Sequence, residues 1–459
     1  MQSRRDQVNA YNYLVSRLTG ALVRAEPDVL ESPTRRDVRG LVSGIVAAVL
    51  LLAVVAGWVL LSARGSTAWR KPGALIVDKS SGSRFLLVDG ALRPVDNIAS
   101  ARLLTGSAVS PVVVSGSKLA GVPRGAPVGI ANAPDMVPDL RHLNEGVWRL
   151  CADPRPGPPA AAAAAGPGAA PAMLVDIGVP ASRSRIGADA GLLVSAAGQE
   201  YLLWRGQRLL IARPWAADVL GFGAVTPTVV PRTWLDLLPS GPDLAPVPVP
   251  GRGKRRPDIG GRATHLGELF AAETASGSVA HYILLPAGLT ALSPTQLALA
   301  RAEAGDAPER PITLGDLAAA ARATMPAPQT ALPVKPPEIQ PPSPGESICV
   351  ESSADRTRST VDVVLATATL TPGIRVSNGT AIQVTAGGGA LVMPKVVDPQ
   401  AASTDEAPGV LVDGGGTAYQ VTGKAIQALG YAPGLAIASP WKLLAFLPLG
   451  PPLTTPGGG

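Results

Sequence analysis

From Leu41 to Leu61 the chain runs LVSGIVAAVLLLAVVAGWVLL, with no charged side chain in the stretch. At about 1.5 Å of rise per residue, a helix of this length spans about 31 Å, against a hydrocarbon core of roughly 30 Å. Arg39 and Arg64 close it at both ends, so the pattern predicts one transmembrane helix. A buried helix of a soluble core would carry a polar-faced turn, and a signal peptide would have a shorter apolar run nearer the N-terminus. Gly40, Gly44, Ala47 and Ala48 place small residues near one end, a pattern that permits close helix packing. Ahead of this stretch, Val8, Tyr11, Leu14, Val15, Leu18, Ala21 and Leu22 recur at helical spacing, with Arg4, Arg5, Arg17 and Arg24 on the remaining surface. This predicts an amphipathic helix that lies on an anionic leaflet or docks on a partner, ended by Pro27 and Pro33.

Beyond the membrane helix the period changes from helical to alternating. The segment LIVDKSSGSRFLLVDGALRPV reads as strand, turn at Gly82, strand carrying Phe85, turn at Gly90, strand. LLVSAAGQEYLLWRGQRLLI repeats the plan, with Gly198, Tyr201 and Gly206 in the same relative places. Looser copies surround Gly277, Tyr282 and Gly288, and Gly416, Tyr419 and Gly423. Glycine supplies the positive φ that hairpin turns demand, and the aromatic is a natural inward residue. A short helical stretch follows each copy, at 97–104, 214–220, 294–303 and 424–429. Three low-complexity stretches, at 154–172, 239–257 and 325–346, read as linkers.

Composition supports a mainly β, α+β chain built from small modules. Gly 51 and Pro 47 punctuate it, while aromatics are only 4% and charged residues only 16%. The formal charge of +6 is spread along the sequence. Its one dense basic cluster, Arg252, Lys254, Arg255 and Arg256, lies in a Pro/Gly-rich loop without interleaved aromatics, which argues against nucleic-acid binding. Basic residues flank the membrane helix almost equally, so charge alone leaves orientation open. The length of the C-terminal part and its two cysteines place that part outside and the N-terminus in the cytosol.

Catalytic patterns are few. Thr422-Gly423-Lys424 approaches a P-loop, but Ala425 stands where a hydroxyl must hold magnesium. No G-x-S-x-G elbow occurs, and His142, His265 and His281 are too scattered for a zinc site, so no catalytic residue, metal or cofactor is expected. The Gly runs at 387–389 and 414–416 read as hairpin turns. Cys151 and Cys349 either form a bridge between the parts they lie in, closing a long loop, or remain two buried thiols.

Several of these segments together resemble the EccB family, the membrane component of type VII (ESX) secretion systems of actinobacteria. The resemblance rests on Gln7-Val8 with Tyr11, Tyr13, Leu14 and Arg17, on LRPVDNIASARLLTG (92–106), and on PRGAPVGIANAPD (123–135), where Ala131-Asn132 replaces the family's Pro-Gly. VWRLCAD (147–153), ESICVES (346–352), RTWLDLLP (232–239) and SPWKLLAFLPLGPPL (439–453) also match family segments, and the two cysteine contexts favour the bridge. The match weakens at the TTPGGG end. The resemblance implies a single-pass inner-membrane protein with an elongated periplasmic region, in which small hairpin-plus-helix repeats, similar to a cell-wall-binding lysin subunit, surround a central domain. Laid on the chain, this gives a cytosolic segment at 1–40, the span at 41–61, a first repeat region at 62–153 and a Pro/Ala linker at 154–172. A central domain with further repeats follows at 173–324, then a Pro-rich linker at 325–346 and a C-terminal repeat region at 347–459. The implied partners are EccC, EccD, EccE, a mycosin-type protease and further copies in a hexameric complex that exports WXG100-type substrates. Family members are often labelled ATPases, and cell-wall binding is a third reading. No residue in this sequence carries the ATPase label over.

Overall fold

The structure is a computed structural model and describes residues 3–24, 34–62, 67–107, 109–152, 155–156, 172–355, 358–393, 409–438 and 441–455. It divides into two compact units, Met1–Lys71 and Pro72–Gly459. The first holds helix α1, Arg4–Arg24, and helix α2, Thr34–Ser62. Ser3 opens α1: its hydroxyl accepts from the Arg5 amide, and its own amide donates to Asp6. The large apolar side chains of α1, from Val8 to Leu22, and those of α2 between Val38 and Trp58 are exposed. That window of α2 has a mean hydropathy of 2.5. Leu41 and Leu61 both lie within α2, which begins seven residues before Leu41 at Thr34.

Among the described residues of the second unit one topology occurs four times. Each repeat is a three-stranded antiparallel meander, a helix, and a fourth strand that returns parallel to the first. A second short helix then leads to an edge segment parallel to the third strand. Repeat 1 has Leu75–Asp78, Arg84–Val88 and Ala91–Pro94, helix Ile98–Thr105, strand Val112–Val114 and helix Gly116–Leu119. Repeat 2 has Ala190–Ala196, Gln199–Trp204 and Gln207–Leu210, helix Ala216–Val219, strand Thr228–Val229 and helix Arg232–Leu235. Repeat 3 follows with Leu269–Glu273, Val279–Leu285 and Gly288–Leu292, helix Pro294–Glu303, strand Arg310–Ile312 and helix Leu314–Ala319. Repeat 4 has Ala390–Met393, Gly409–Val412 and Ala418–Val421, helix Gly423–Ala428, strand Ile437–Ala438 and helix Trp441–Leu444.

Local chemistry explains the recurring shape. Asp89-Gly90, Ala197-Gly198 and Arg205-Gly206 have positive φ at both residues, the two-residue turn whose twist suits a hairpin. Asn97, Ser293 and Thr422 cap their helices by accepting from the amides of Ser100, Gln296 and Ala425. The repeats associate in nested pairs. The first helix of repeat 1 packs on that of repeat 4, where Ala99 and Leu103 meet Ala425, Ile426 and Leu429 and Arg102 Nη1 donates to Leu429 O at 2.6 Å. Repeats 2 and 3 pair the same way through Ala216, Leu220 and Leu299.

A six-stranded sheet joins the pairs. Its order runs Ser359–Ala366, Ser347–Ala354, Val147–Ala152, Met173–Val179, Thr380–Val384, Arg375–Ser377. The central element is thus assembled from 147–179 and 347–384, and repeats 2 and 3 are inserted within it. Of the expected central domain with further repeats at 173–324, Met173–Val179 lies in this sheet, and the rest of the stretch holds repeats 2 and 3 and the hairpin between them. The stretches 239–257 and 325–346 are ordered, with Leu244, Val247 and Leu332 buried, and Glu338–Ile339 pairs with Ala190–Gly191. Most of 154–172 lies outside the described residues.

The fourth sequence copy needs a register correction. Gly416 turns the second hairpin of repeat 4, not the first, and Tyr419 lies on the third strand. Val410 occupies the place held by Phe85, Tyr201 and Tyr282. Each repeat contains two similar hairpins, so a glycine followed by an aromatic fits either. The run 387–389 joins the central sheet to repeat 4 and is not a hairpin turn, whereas 414–416 is one.

Candidate functional site: the bridged central sheet and its docked repeats

Cys151 and Cys349 are direct cross-strand partners in the central sheet and form a disulfide. Both are fully buried beside Leu174, Val364 and Ala381. The bond therefore ties neighbouring strands of one sheet, and repeats 2 and 3 sit inside the loop it closes. With the cysteines 198 positions apart in sequence, the chain-entropy estimate is about 5 kcal/mol, an upper figure because the unfolded chain retains structure.

Alternation places a charged row on the same face, two residues along. Arg149 Nε and Nη2 donate to Glu351 Oε2 at 3.2 and 2.8 Å, and Nη2 also reaches Pro180 O at 2.8 Å. The Ser182 amide completes the Glu351 carboxylate at 2.9 Å. Asp176, opposite Arg149, is 5% exposed, and its Oδ1 has no hydrogen-bond partner. Burial pushes its carboxyl up to about 6, with Arg149 opposing the shift.

The opposite face is apolar: Trp148, Leu150, Val175, Ile177, Ile348 and Val350 point to it. It is roofed by the second helices of repeats 2 and 4. Trp234 and Leu235 come from one, with Leu237 and Leu238 just after it, and Leu443 and Leu444 from the other, with Leu447 just after it. Trp234 Nε1 donates to Leu150 O at 2.9 Å, so the indole is buried with its polar edge satisfied. Lys442 Nζ bridges the two helices through Asp236 O and Leu237 O, at 2.9 and 3.3 Å.

Matching edge bonds fix the correspondence between repeats. Leu92, Arg208, Leu289 and Ala418 donate from their amides to the carbonyls of Pro123, Pro239, Ala321 and Pro448. Counting back from those carbonyls, Leu119, Leu235, Leu317 and Leu444 are equivalent, and all are buried. One position earlier, Trp234 and Leu443 of the docked helices correspond to Lys118 and Asp316. Two later, Leu237 and Phe446 correspond to Gly121 and Ala319. The same alignment exposes a motif that sequence reasoning missed, Pro-x-Gly at 123–125, 239–241 and 448–450, each at nearly the same distance after its third strand. A Cβ on these glycines would meet Arg93 Cγ at 3.0 Å, Gln207 Oε1 at 2.7 Å and Tyr419 Cε1 at 2.2 Å. The edge segment thus crosses a third-strand side chain closely in these three repeats, most tightly at Gly450 against the rigid Tyr419 ring, and repeat 3 has Ala323 at the equivalent place.

The other singled-out residues serve the repeats. Gly82, Gly90, Gly198 and Gly206 have φ of 69°, 73°, 77° and 70° in hairpin turns, and Phe85 and Tyr201 are buried. Arg124 and Arg232 stack on those two rings, at 5.1 and 5.8 Å from the centroids. His142, His265 and His281 each face a single carboxylate, of Glu145, Glu268 and Glu309. Thr422 spends its hydroxyl on the Ala425 amide.

The description "Type VII secretion system ESX-1, transport TM domain B", the EccB family, matches residues 1–457. The protein named ESX-2 secretion system ATPase EccB2 of Mycobacterium tuberculosis is 29% identical over 98% of this chain and 93% of its own length. In fold the chain resembles a chain of the intact ESX-5 inner membrane complex, with a TM-score of 0.67 and 23% identity over 99% of this chain and 94% of that one. It also resembles the EccB3 dimer from the ESX-3 core complex, at 0.64 and 22%, over 83% of this chain and 98% of that one. With that match across nearly its whole length, the chain belongs to the EccB family of type VII secretion membrane proteins.

Proposed function

We propose that the protein is a structural component of a type VII secretion complex in the inner membrane, with α1 in the cytosol and the disulfide-bridged unit outside. The observation that carries this is the pairing of α2, whose apolar side chains have no cover, with a buried disulfide in the other unit. The helix requires a bilayer, and the bridge requires an oxidising compartment. The repeat unit then makes oligomer contacts beyond the membrane, in a hexameric assembly with EccC, EccD, EccE and a mycosin-type protease that exports WXG100-type substrates. The EccB3 dimer and the ESX-5 complex among its fold relatives support oligomer contacts.

The mass and subunit content of the detergent-solubilised complex test this. Copurification with an ATPase and a multi-pass channel protein is expected, and a lone monomer would overturn the proposal. A reporter fused after Gly459 is active only if exported, which checks orientation. Nucleotide hydrolysis rests on the name of curated relatives. Turnover by pure protein that is abolished by a point substitution would establish it.

A further inference from the structure

Between repeats 2 and 3 lies an element that the four-repeat plan does not contain. Arg255–Ile259 and Arg262–His265 form an isolated two-stranded hairpin turned by Gly260-Gly261. Its inward side chains have a structural task. Ile259 and Leu266 join Phe270, Ile312 and Leu317 in one cluster, so the hairpin covers the end of repeat 3 that in repeats 2 and 4 faces the central sheet. Arg310 fastens it through Ala263 O and Ile259 O.

A cover needs a polar outer surface, but not this one. Arg252, Lys254, Arg255, Arg256 and Arg262 lie within eleven residues that hold one carboxylate, Asp258. Arg256 is held at Pro286 O, and Arg255 has only the exposed Asp258 at 3.6 Å. Among the described residues no carboxylate pairs with Arg252, Lys254 or Arg262. Arg252, Lys254, Arg255 and Arg256 fall within five residues, a span of about 13 Å of extended chain with neighbours closer than a Debye length of about 10 Å, so their fields add.

We propose that this hairpin is a docking surface for an acidic segment of a partner protein, an inference that rests on the assembly role above. Four of the five cations are guanidiniums, whose forks match carboxylates two bonds at a time. No aromatic is interleaved to stack a base or a sugar. Pro257 interrupts the outer strand and removes a backbone donor, so recognition comes from side-chain charge rather than from an added strand.

The test uses the full chain in an uncharged detergent, titrated with a labelled peptide of alternating Glu and Gly, its Gln counterpart, and inorganic polyphosphate. The expected result is Glu-peptide binding that weakens with salt, no binding of the Gln peptide, and at least a tenfold loss in the R255E/R262E variant. Both substituted side chains are exposed, and an unchanged thermal melt with R255Q/R262Q behaving as an intermediate confirms a folded variant. Glu-peptide binding that is absent, or equal in the charge-swapped chain, overturns the proposal, as does polyphosphate binding alone. In the purified complex, a wild-type chain without partners refutes the assembly role itself. A variant that keeps every subunit refutes only this surface.

Discussion

Repeats 2 and 4 turn their second helices onto the central sheet, whereas repeats 1 and 3 turn the equivalent helices away from it. All four bury the equivalent leucine: Leu119, Leu235, Leu317 and Leu444. The neighbouring positions decide the rest. Where Trp234 and Leu443 meet the sheet, the undocked helices carry Lys118 and Asp316, and Leu237 and Phe446 give way to Gly121 and Ala319. A single topology is thus sorted into docked and undocked copies at these two positions, because a charge or a missing side chain forfeits the apolar area that docking must bury. Solenoid arrays follow the same logic when terminal repeats present a polar face.

Trp234→Ala breaks the docked side hardest. Loss of a fully buried indole bonded to Leu150 O should cost about 4 kcal/mol in urea unfolding, by the usual price of core truncation, while Lys118→Ala stays within about 0.5 kcal/mol. Leu443→Lys imports the residue of repeat 1 into repeat 4. It should cost about 3 kcal/mol through an unpaired buried charge, and loss of docking without unfolding would appear as protease access to 441–455. The sheet's charged face supplies the next effect. The Asp176 carboxyl titrates near 6 in the folded chain and near 3.8 unfolded, so folding favours its protonated form. Stability from this group is full below pH about 4 and is lost as pH rises through 6. Asp176→Asn should therefore stabilise the protein by about 2 kcal/mol at pH 7.5 and little at pH 4, read from unfolding midpoints. The smallest change is expected for Ala197→Gly, which relieves a φ of 50° and should gain about 0.5 kcal/mol.

Local features of this chain were legible in its sequence. Gly82, Phe85 and Gly90, and their counterparts Gly198, Tyr201 and Gly206, mark hairpins because turn stereochemistry is a property of adjacent residues. Asn97 and Ser293 mark helix starts for the same reason. The central sheet was not legible, since its strands pair across long separations and no local signal states which strand is whose neighbour; Cys151 and Cys349 were its one sequence trace. Proline and glycine made 239–257 and 325–346 look like linkers. Edge segments tolerate proline, however, and Leu244, Val247 and Leu332 were the apolar anchors that betrayed their burial. The row of Arg149, Glu351 and Asp176 was invisible because its members come from three separate strands.

The cysteine bridge has a consequence in time. Cys151 leaves the ribosome 198 residues before Cys349, a delay of about 10–40 s at about 5–20 residues per second. During that interval repeats 2 and 3 have every strand they need, while the strand bearing Cys151 has Met173–Val179 beside it but lacks Ser347–Ala354, the strand that carries the other cysteine. The inserted pair of repeats can thus mature first, as a folded spacer that brings the late strand back beside the early one.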